Sequence, residues 1–391
     1  MKSLLAVLRI ELKRVLALRP VLSVLILGPL IYALYYPQPY RNEALRDVPI
    51  ALVDLDGTDS SRQLARLIDA SSDVAVAAVL PDEASAEREV YRRQLFGIVV
   101  IPQHFERDLL HGRQSPLALY ADASYFLIYQ RISGAVTAVA KTFGAEVETA
   151  RLIAMNVDPA LAVAASNPMP LTAVALFNPQ GGYATYILPA AFVLILQQTL
   201  LIGVGLLGTI RDGRLAADRA SASAGPVSLV LGKMLAYLVV EAFVVPFYLI
   251  VLPYLYGIPR LGSLWAVIMI SLPFVLAVGA LGIAISRLIR SPLAVQLVFA
   301  AAGLPFLFLA GFSWPTEAIP EPLKTLTILL PSTTAINGIV EVSQLGAPLS
   351  IMRLPLATLW ILAAVYAGIA ILLESYRSRK GQETDPLPEA S

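Results

Sequence analysis

Cysteine is absent from this 391-residue sequence. That removes disulfides, thiolate metal sites and cysteine nucleophiles, and leaves the redox compartment open. Histidine occurs only twice, at His104 and His111. They sit seven apart beside Glu106 and Asp108, and two histidines without a firm third ligand are thin grounds for a metal; surface positions on a helix describe them better. Charged residues amount to 15%, where a soluble chain carries about a quarter. The net charge is +1, with no basic stripe of the kind a nucleic-acid partner requires. The phosphate-cradling Gly-x4-Gly-Lys-[Ser/Thr] loop is missing too. Lys141-Thr142 lacks the preceding glycine, and Gly232-Lys233 runs into Met234. Neither Gly-x-Ser-x-Gly, His-Glu-x-x-His nor a paired-carboxylate site occurs. The chain therefore reads as a non-enzyme with no cofactor, and any ATP-driven work would need an ATPase on another polypeptide.

What the sequence has in excess is apolar surface: 57% hydrophobic residues and a mean hydropathy of +0.71. Lipid is the natural partner for it. A spanning helix needs roughly 20 mostly apolar residues, and six stretches qualify: 20–36, 183–207, 228–255, 263–285, 293–312 and 354–373. Lys2, Arg9, Lys13, Arg14 and Arg19 precede the first, Arg211, Arg214 and Arg219 separate the second and third, Arg287 and Arg290 the fourth and fifth, and Arg377, Arg379 and Lys380 follow the sixth. Apart from the long first loop, a domain-sized segment that crosses regardless of charge, the alternate loops carry only Arg260, and then Lys324 and Arg353. Basic residues collect on the cytoplasmic side, so segment 1–19, an amphipathic stretch, and the tail 374–391 are both expected inside. Tyr35-Tyr36-Pro37 is too bulky for a signal-peptidase site, so the first span reads as an uncleaved anchor.

The long first loop, 37–182, reads as an α/β domain outside the cytoplasm. Strand-like runs at 48–54, 74–80, 97–102 and 117–121 alternate with helical spacing at 60–70 and 82–94, and a long helix covers 125–156. The Pro/Asn-rich stretch 159–179 is expected to be a linker. Asp54-Leu55-Asp56-Gly57-Thr58 resembles the first motif of haloacid-dehalogenase-type phosphatases, in which the two aspartates act as nucleophile and general acid beside a magnesium ion. The second acidic cluster that this chemistry needs is missing, and the plainer reading is a strand ending in an Asp/Gly turn before a capped helix. The fold class expected is thus a mainly α, polytopic membrane protein of six spans with an inserted α/β domain.

Between the second and third spans lies a connector, 208–227, with alternating charges and a Gly225-Pro226 stop, followed by Gly232-Lys233. A short helix joined rigidly to two spans is what a motor would push on. Here the sequence resembles the membrane subunits of type-2 ABC exporters, whose equivalent loop runs from a charged, glycine-containing turn through a coupling helix and a small/Pro break to Gly-Lys. Arg211, Asp212, Gly213, Arg214, Leu215, Asp218, Arg219, Gly225, Pro226, Gly232 and Lys233 follow that order, although the family's turn is richer in Glu. Asn178-Pro179-Gln180-Gly181-Gly182-Tyr183, Gln197-Gln198-Thr199, Val53-Asp54-Leu55-Asp56 and Ile101-Pro102-Gln103-His104-Phe105 look like the subgroup with a large extracytoplasmic domain. Segment 313–353 is similar to that family's pair of short helices dipping back from the outer face.

The resemblance implies an ATP-binding cassette ATPase as partner, a second permease copy or paralogue, a bilayer of the bacterial inner-membrane kind and, further out, a periplasmic adaptor. Glu241, Gln197, Gln198 and Gln296 are candidates for the translocation path. An ionised carboxylate near mid-membrane costs roughly 2.5 kcal/mol or more, so Glu241 either lines the path or is held neutral or hydrogen-bonded between helices. For the three glutamines, interhelical hydrogen bonds of about 0.6 kcal/mol serve as an explanation equally well. Two rival classes stand beside the permease: an ATP-independent secondary transporter using Glu241, and a membrane scaffold that displays the inserted domain.

Overall fold

The computed structural model describes residues 2–42, 44–178, 181–210, 224–289 and 291–383. Contacts divide the chain into two units, residues 1–43 with 175–391, and residues 44–174.

The first unit is helical. An N-terminal helix α1 (Lys2–Ala17) precedes six helices that are long and apolar enough to cross a membrane among the described residues. They are α2 (Arg19–Tyr40), α8 (Tyr183–Thr209), α9 (Pro226–Leu255), α10 (Leu264–Leu288), α11 (Pro292–Leu309) and the first 25 residues of α14 (Arg353–Glu383). Before α14 comes a pair of shorter helices, α12 (Glu321–Thr327) and α13 (Pro331–Ser343), bent against each other by 79°. The helix α11 stops at Leu309, ahead of the expected 312, and Gly311 there takes a left-handed φ of 82°, which suits a residue without Cβ.

Burial sorts the spans. The apolar window of α8 is 78% buried and that of α10 67%, against 28% for α2 and α14 and 11% for α11. Consequently α8 and α10 form the centre. Phe192 of α8 meets Tyr248 of α9 edge-on with centroids 5.4 Å apart, the geometry that ring quadrupoles favour. Pro273 and Pro305 lie inside α10 and α11. Pro246 is followed by a π-helical turn, Phe247–Val251, a local rearrangement that a missing N–H provokes. Tyr36, Tyr40, Tyr183 and Tyr186 make successive tilted ring contacts with centroids 5.7, 5.7 and 6.0 Å apart, so the two chain segments that flank the insertion lie side by side in the bundle.

The second unit holds a four-stranded sheet in the order β2-β1-β3-β4: β1 (Val48–Asp54), β2 (Val74–Val79), β3 (Gly97–Ile101) and β4 (Ala118–Ala121). Strand β1 pairs parallel with β2 and β3, and β3 antiparallel with β4. Helices α3 (Asp59–Asp69) and α4 (Glu83–Tyr91) connect the parallel strands. Because side chains alternate across a strand, Ile50, Leu52, Val99 and Ile101 face α3 and the long α6 (Phe126–Ala154), burying Leu64, Ile68 and Ile132. Ala51, Val53, Ile98 and Val100 face the other way, onto Ala86 of α4. Thr58 and Asp82 cap α3 and α4 by accepting from Ser61 N and Ser85 N. A short helix α5 (Phe105–Leu110) follows β3.

One expectation fails here. Residues 159–166, taken with the linker, form helix α7 (Pro159–Ser166). Asp158 caps it by accepting from Ala160 N and Leu161 N, and Pro159 stands at its first position, where a missing N–H costs nothing.

Candidate functional site

The densest set of buried charges lies where α1 meets the ends of four spans. Along α1, Val7, Glu11, Arg14 and Val15 are buried while Arg9 and Lys13 are exposed, the one-face pattern of a 3.6-residue period. The unusual feature is that two members of the buried stripe are charged. Glu11 is 1% exposed. Its Oε2 accepts from Arg14 Nη1 at 3.1 Å, and its Oε1 accepts from the Tyr237 hydroxyl at 2.7 Å with Lys233 Nζ 3.9 Å away. Arg14 Nη2 donates in turn to the carbonyls of Leu207 and Ile210 at 2.9 and 3.0 Å. These carbonyls belong to the end of α8, where a helix leaves acceptors without internal partners and favours a cation. Nearby, Arg287 Nε lies 2.6 Å from Glu374 Oε2, joining the last turn of α10 to α14.

Close approach makes this possible. A Cβ at Gly232 would stand 2.8 Å from Val7 Cβ and 3.0 Å from the Leu4 carbonyl. Only glycine lets α1 lie this near to α9, and the glycine of the Gly-Lys pair thereby places Lys233 against Glu11. Burial pushes the Glu11 carboxyl up, but the Lys233 and Arg14 charges and the Tyr237 and Arg14 hydrogen bonds outweigh it and hold the group below the usual carboxylate range. An ionised, paired glutamate of this kind is a rigid tie. Mechanically, α1 grips Leu207 and Ile210 where the 208–227 connector begins and Lys233 and Tyr237 beyond its end.

The remaining residues singled out in the sequence distribute as follows. Arg211, Asp212, Gly213, Arg214, Leu215, Asp218 and Arg219 lie outside the described residues. Gly225 is extended and precedes α9, with Pro226 at the helix's first position. Gln197 and Gln198 face different helices: Gln197 Oε1 accepts from Ser332 N of α13 at 2.8 Å, and Gln198 Nε2 donates to the Phe299 carbonyl of α11. Gln296 is half-buried on α11. Glu241 is 2% exposed inside the bundle, and its Oε2 has no hydrogen-bond partner among the described residues.

Sequence reasoning missed Glu11, Tyr237 and Glu374, and counted Arg14 and Arg287 only as orienting charges. A signal was present for Glu11. It falls four residues after Val7 and four before Val15, on the apolar face, where an acid is expensive unless paired.

In the inserted unit, the Asp54–Thr58 motif is an internally bonded turn. Asp54 Oδ1 accepts from Asp56 N and Gly57 N at 3.1 and 2.9 Å, and its Oδ2 from Ser61 Oγ at 2.7 Å. Asp56 Oδ2 accepts from Thr58 Oγ1 at 2.6 Å and Glu106 N at 3.1 Å. Glu106 Oε1 accepts from Ser60 Oγ at 2.7 Å. All three carboxylates are thus occupied in tying β1, α3 and α5 together. Burial pushes the Asp56 carboxyl up, but its hydrogen bonds from Thr58 and the Glu106, His104 and Phe105 amides together outweigh it and lower its pKa. His104 and His111 are exposed at the two ends of α5.

Comparison with known proteins gives a consistent result. The family model for ABC-2 family transporter proteins matches residues 18–372. The linearmycin resistance permease protein LnrN of Bacillus subtilis (strain 168) is 23% identical over 367 residues, 89% of this chain and 92% of that protein. The probable multidrug ABC transporter permease YbhS of Escherichia coli (strain K12) is 27% identical over 161 residues, 40% of this chain and 42% of its own length.

Proposed function

Because the chain belongs to the ABC-2 transporter family, and is a membrane permease subunit of an ABC transporter, we propose that a separate ATPase drives it through the 208–227 connector, with α1 as the strut that carries the displacement into α8 and α9. The observation that supports this most directly is the double grip of α1: Arg14 on Leu207 and Ile210, Glu11 on Lys233 and Tyr237. A push on the connector then moves α8, α9 and α1 as one body. Alternating access by rigid-body motion needs such a body.

In this reading the α1 end faces the cytoplasm, in keeping with the basic residues there, and the inserted domain lies on the opposite side of a bacterial inner membrane. The cargo is a lipophilic or drug-like compound moved outward. The relatives' names, linearmycin resistance and multidrug permease, support that class. Two permease chains complete the pathway. The sparse burial of α11 and α2 within one chain, 11% and 28%, leaves apolar surface for a second copy or a paralogue as well as for lipid. A periplasmic adaptor would extend the route outward.

The test uses the full permease reconstituted with its ATPase. Arg14→Ala and Glu11→Gln should leave basal ATP hydrolysis within about twofold of wild type and lower transport per ATP hydrolysed by about tenfold, a loss equivalent to about 1.4 kcal/mol of coupling. Unchanged transport in both variants would remove α1 from the coupling route.

Glu241, with its unpartnered Oε2, favours one second reading: ion-coupled transport that needs no ATPase. Glu241→Gln would then stop transport by the purified chain in an imposed ion gradient. Under the ATPase-driven reading the purified chain moves no cargo without nucleotide hydrolysis.

A further inference from the structure

Hydroxyls buried in an apolar bundle ordinarily find a partner. Those of Thr199, Ser271, Ser286 and Ser343 do so within their own helices, donating to carbonyls three or four residues back at 2.8, 2.7, 2.7 and 2.6 Å. Ser332 and Thr333 differ. They are 0% and 8% exposed, yet neither hydroxyl has a hydrogen-bond partner among the described residues. Their place in the helix explains it. Both stand in the first turn of α13, where no earlier helical turn supplies acceptors.

The depth of this turn follows from its neighbours. Ser332 N donates to Gln197, the middle of the 27-residue α8. At the other end of α13, Gln344 Nε2 donates to the carbonyl of Thr185, near the start of α8. Helix α13 therefore runs alongside half of α8 for about 20 Å, and its N-terminus stops at mid-span. A helix N-terminus carries partial positive charge. Cα–Cβ bonds tilt toward that end, so each hydroxyl leans toward the charged terminus, the two side chains leaving the helix about 100° apart and flanking it. Interrupted helices that end inside a membrane use such termini to hold anionic groups.

We propose that the first turn of α13 is a subsite for an oxyanion, the carboxylate or phosphate of an amphiphilic substrate, which receives hydrogen bonds from Ser332 Oγ and Thr333 Oγ1. Ser332 N–H is a third donor, released when the Gln197 side chain rotates away. Among the described residues no lysine or arginine is bonded to Ser332 or Thr333, and a site of neutral donors binds weakly enough to reverse, as transport requires. The assignment to substrate rests on the transport reading above; the binding itself does not.

The experiment measures equilibrium binding to the full chain in nanodiscs of zwitterionic lipid, without any ATPase. The probes are radiolabelled dodecanoate and dodecyl phosphate, with dodecanamide as the uncharged control. Both anions should bind saturably and about tenfold more tightly than the amide. The double variant Ser332→Ala/Thr333→Val should lose that preference, with amide binding unchanged, whereas Thr333→Ser, which keeps a hydroxyl, should retain it. Folding is not at risk, because the double change removes unpaired groups and leaves similar volume. Inorganic phosphate should fail to displace dodecyl phosphate at equal concentration; efficient displacement would overturn the amphiphile assignment and leave a free-anion site. Equal affinity for anion and amide, or wild-type preference in the double variant, would overturn the subsite altogether and leave the hydroxyls to a structural water. None of these failures touches the coupling test on Arg14 and Glu11.

Discussion

Two regions of the bundle treat buried polarity in opposite ways. At the α1 end, Glu11 is met by Arg14, Lys233 and Tyr237, and Arg287 by Glu374. At the start of α13, Ser332 and Thr333 keep hydroxyls that nothing among the described residues satisfies. A paired network resists deformation, since separating its members strands a charge out of water. An unsatisfied pair costs stability continuously, and such a cost is usual where a site must accept and release something. One region is built to stay as it is, the other to be completed.

Breaking the paired region should have the largest effect. Glu11→Ala strands Arg14 and Lys233 and should cost about 3–5 kcal/mol, seen as a large fall in the thermal midpoint of the purified chain. A cost below about 1 kcal/mol would mean that water reaches these charges. The approach of α1 to α9 can be attacked without touching any charge. Gly232→Val would drive side-chain atoms into Val7 and the Leu4 carbonyl, and should cost about 1–3 kcal/mol as an overpacked contact. Faster proteolysis within 2–17 would show α1 lifting away.

The comparison sharpens with an exposed pairing. Asp56 is bonded like Glu11 but near solvent, so Asp56→Asn should cost only about 1 kcal/mol. Its folded pKa lies below the unfolded value of about 3.9. The stabilisation is therefore complete above pH 4 and disappears as pH falls through the folded value. Protection factors of the 48–110 amides, exchange rates corrected for the intrinsic rate at each pH, should fall in acid for wild type and change less in the asparagine variant. The smallest effect has the opposite sign. Ser332→Ala/Thr333→Val should leave the thermal midpoint unchanged or slightly higher, because no hydrogen bond is lost with the hydroxyls. A clear fall would show that they have partners after all.

Much of the architecture was legible beforehand. The apolar runs marked all six spans to within a few residues, because transfer into lipid depends mainly on the composition of about 20 consecutive residues. The strand–helix alternation of the insertion was equally plain, since Val48–Asp54 and Gly97–Ile101 are short apolar runs between turn residues. Helix α7 was missed because the Pro and Asn content of 159–179 masked an Asp-Pro start that caps a helix well. The mid-membrane candidates were legible as polar residues in apolar runs, but their partners were not. Gln197 meets α13 and Gln198 meets α11, although the two are adjacent, because neighbours on a helix point about 100° apart.

The amino-acid order alone carried the membrane-spanning character, the α/β insertion and the lack of a Gly-x4-Gly-Lys-[Ser/Thr] motif. These properties are sums over neighbouring residues. Which polar groups meet, and which go without, emerged from the packing of distant helices. Glu11 and Tyr237 are 226 positions apart, and Arg14 reaches carbonyls more than 190 positions away. A hydrogen bond is directional and short, so its existence depends on how helices pack, and no local tally of residues contains that information.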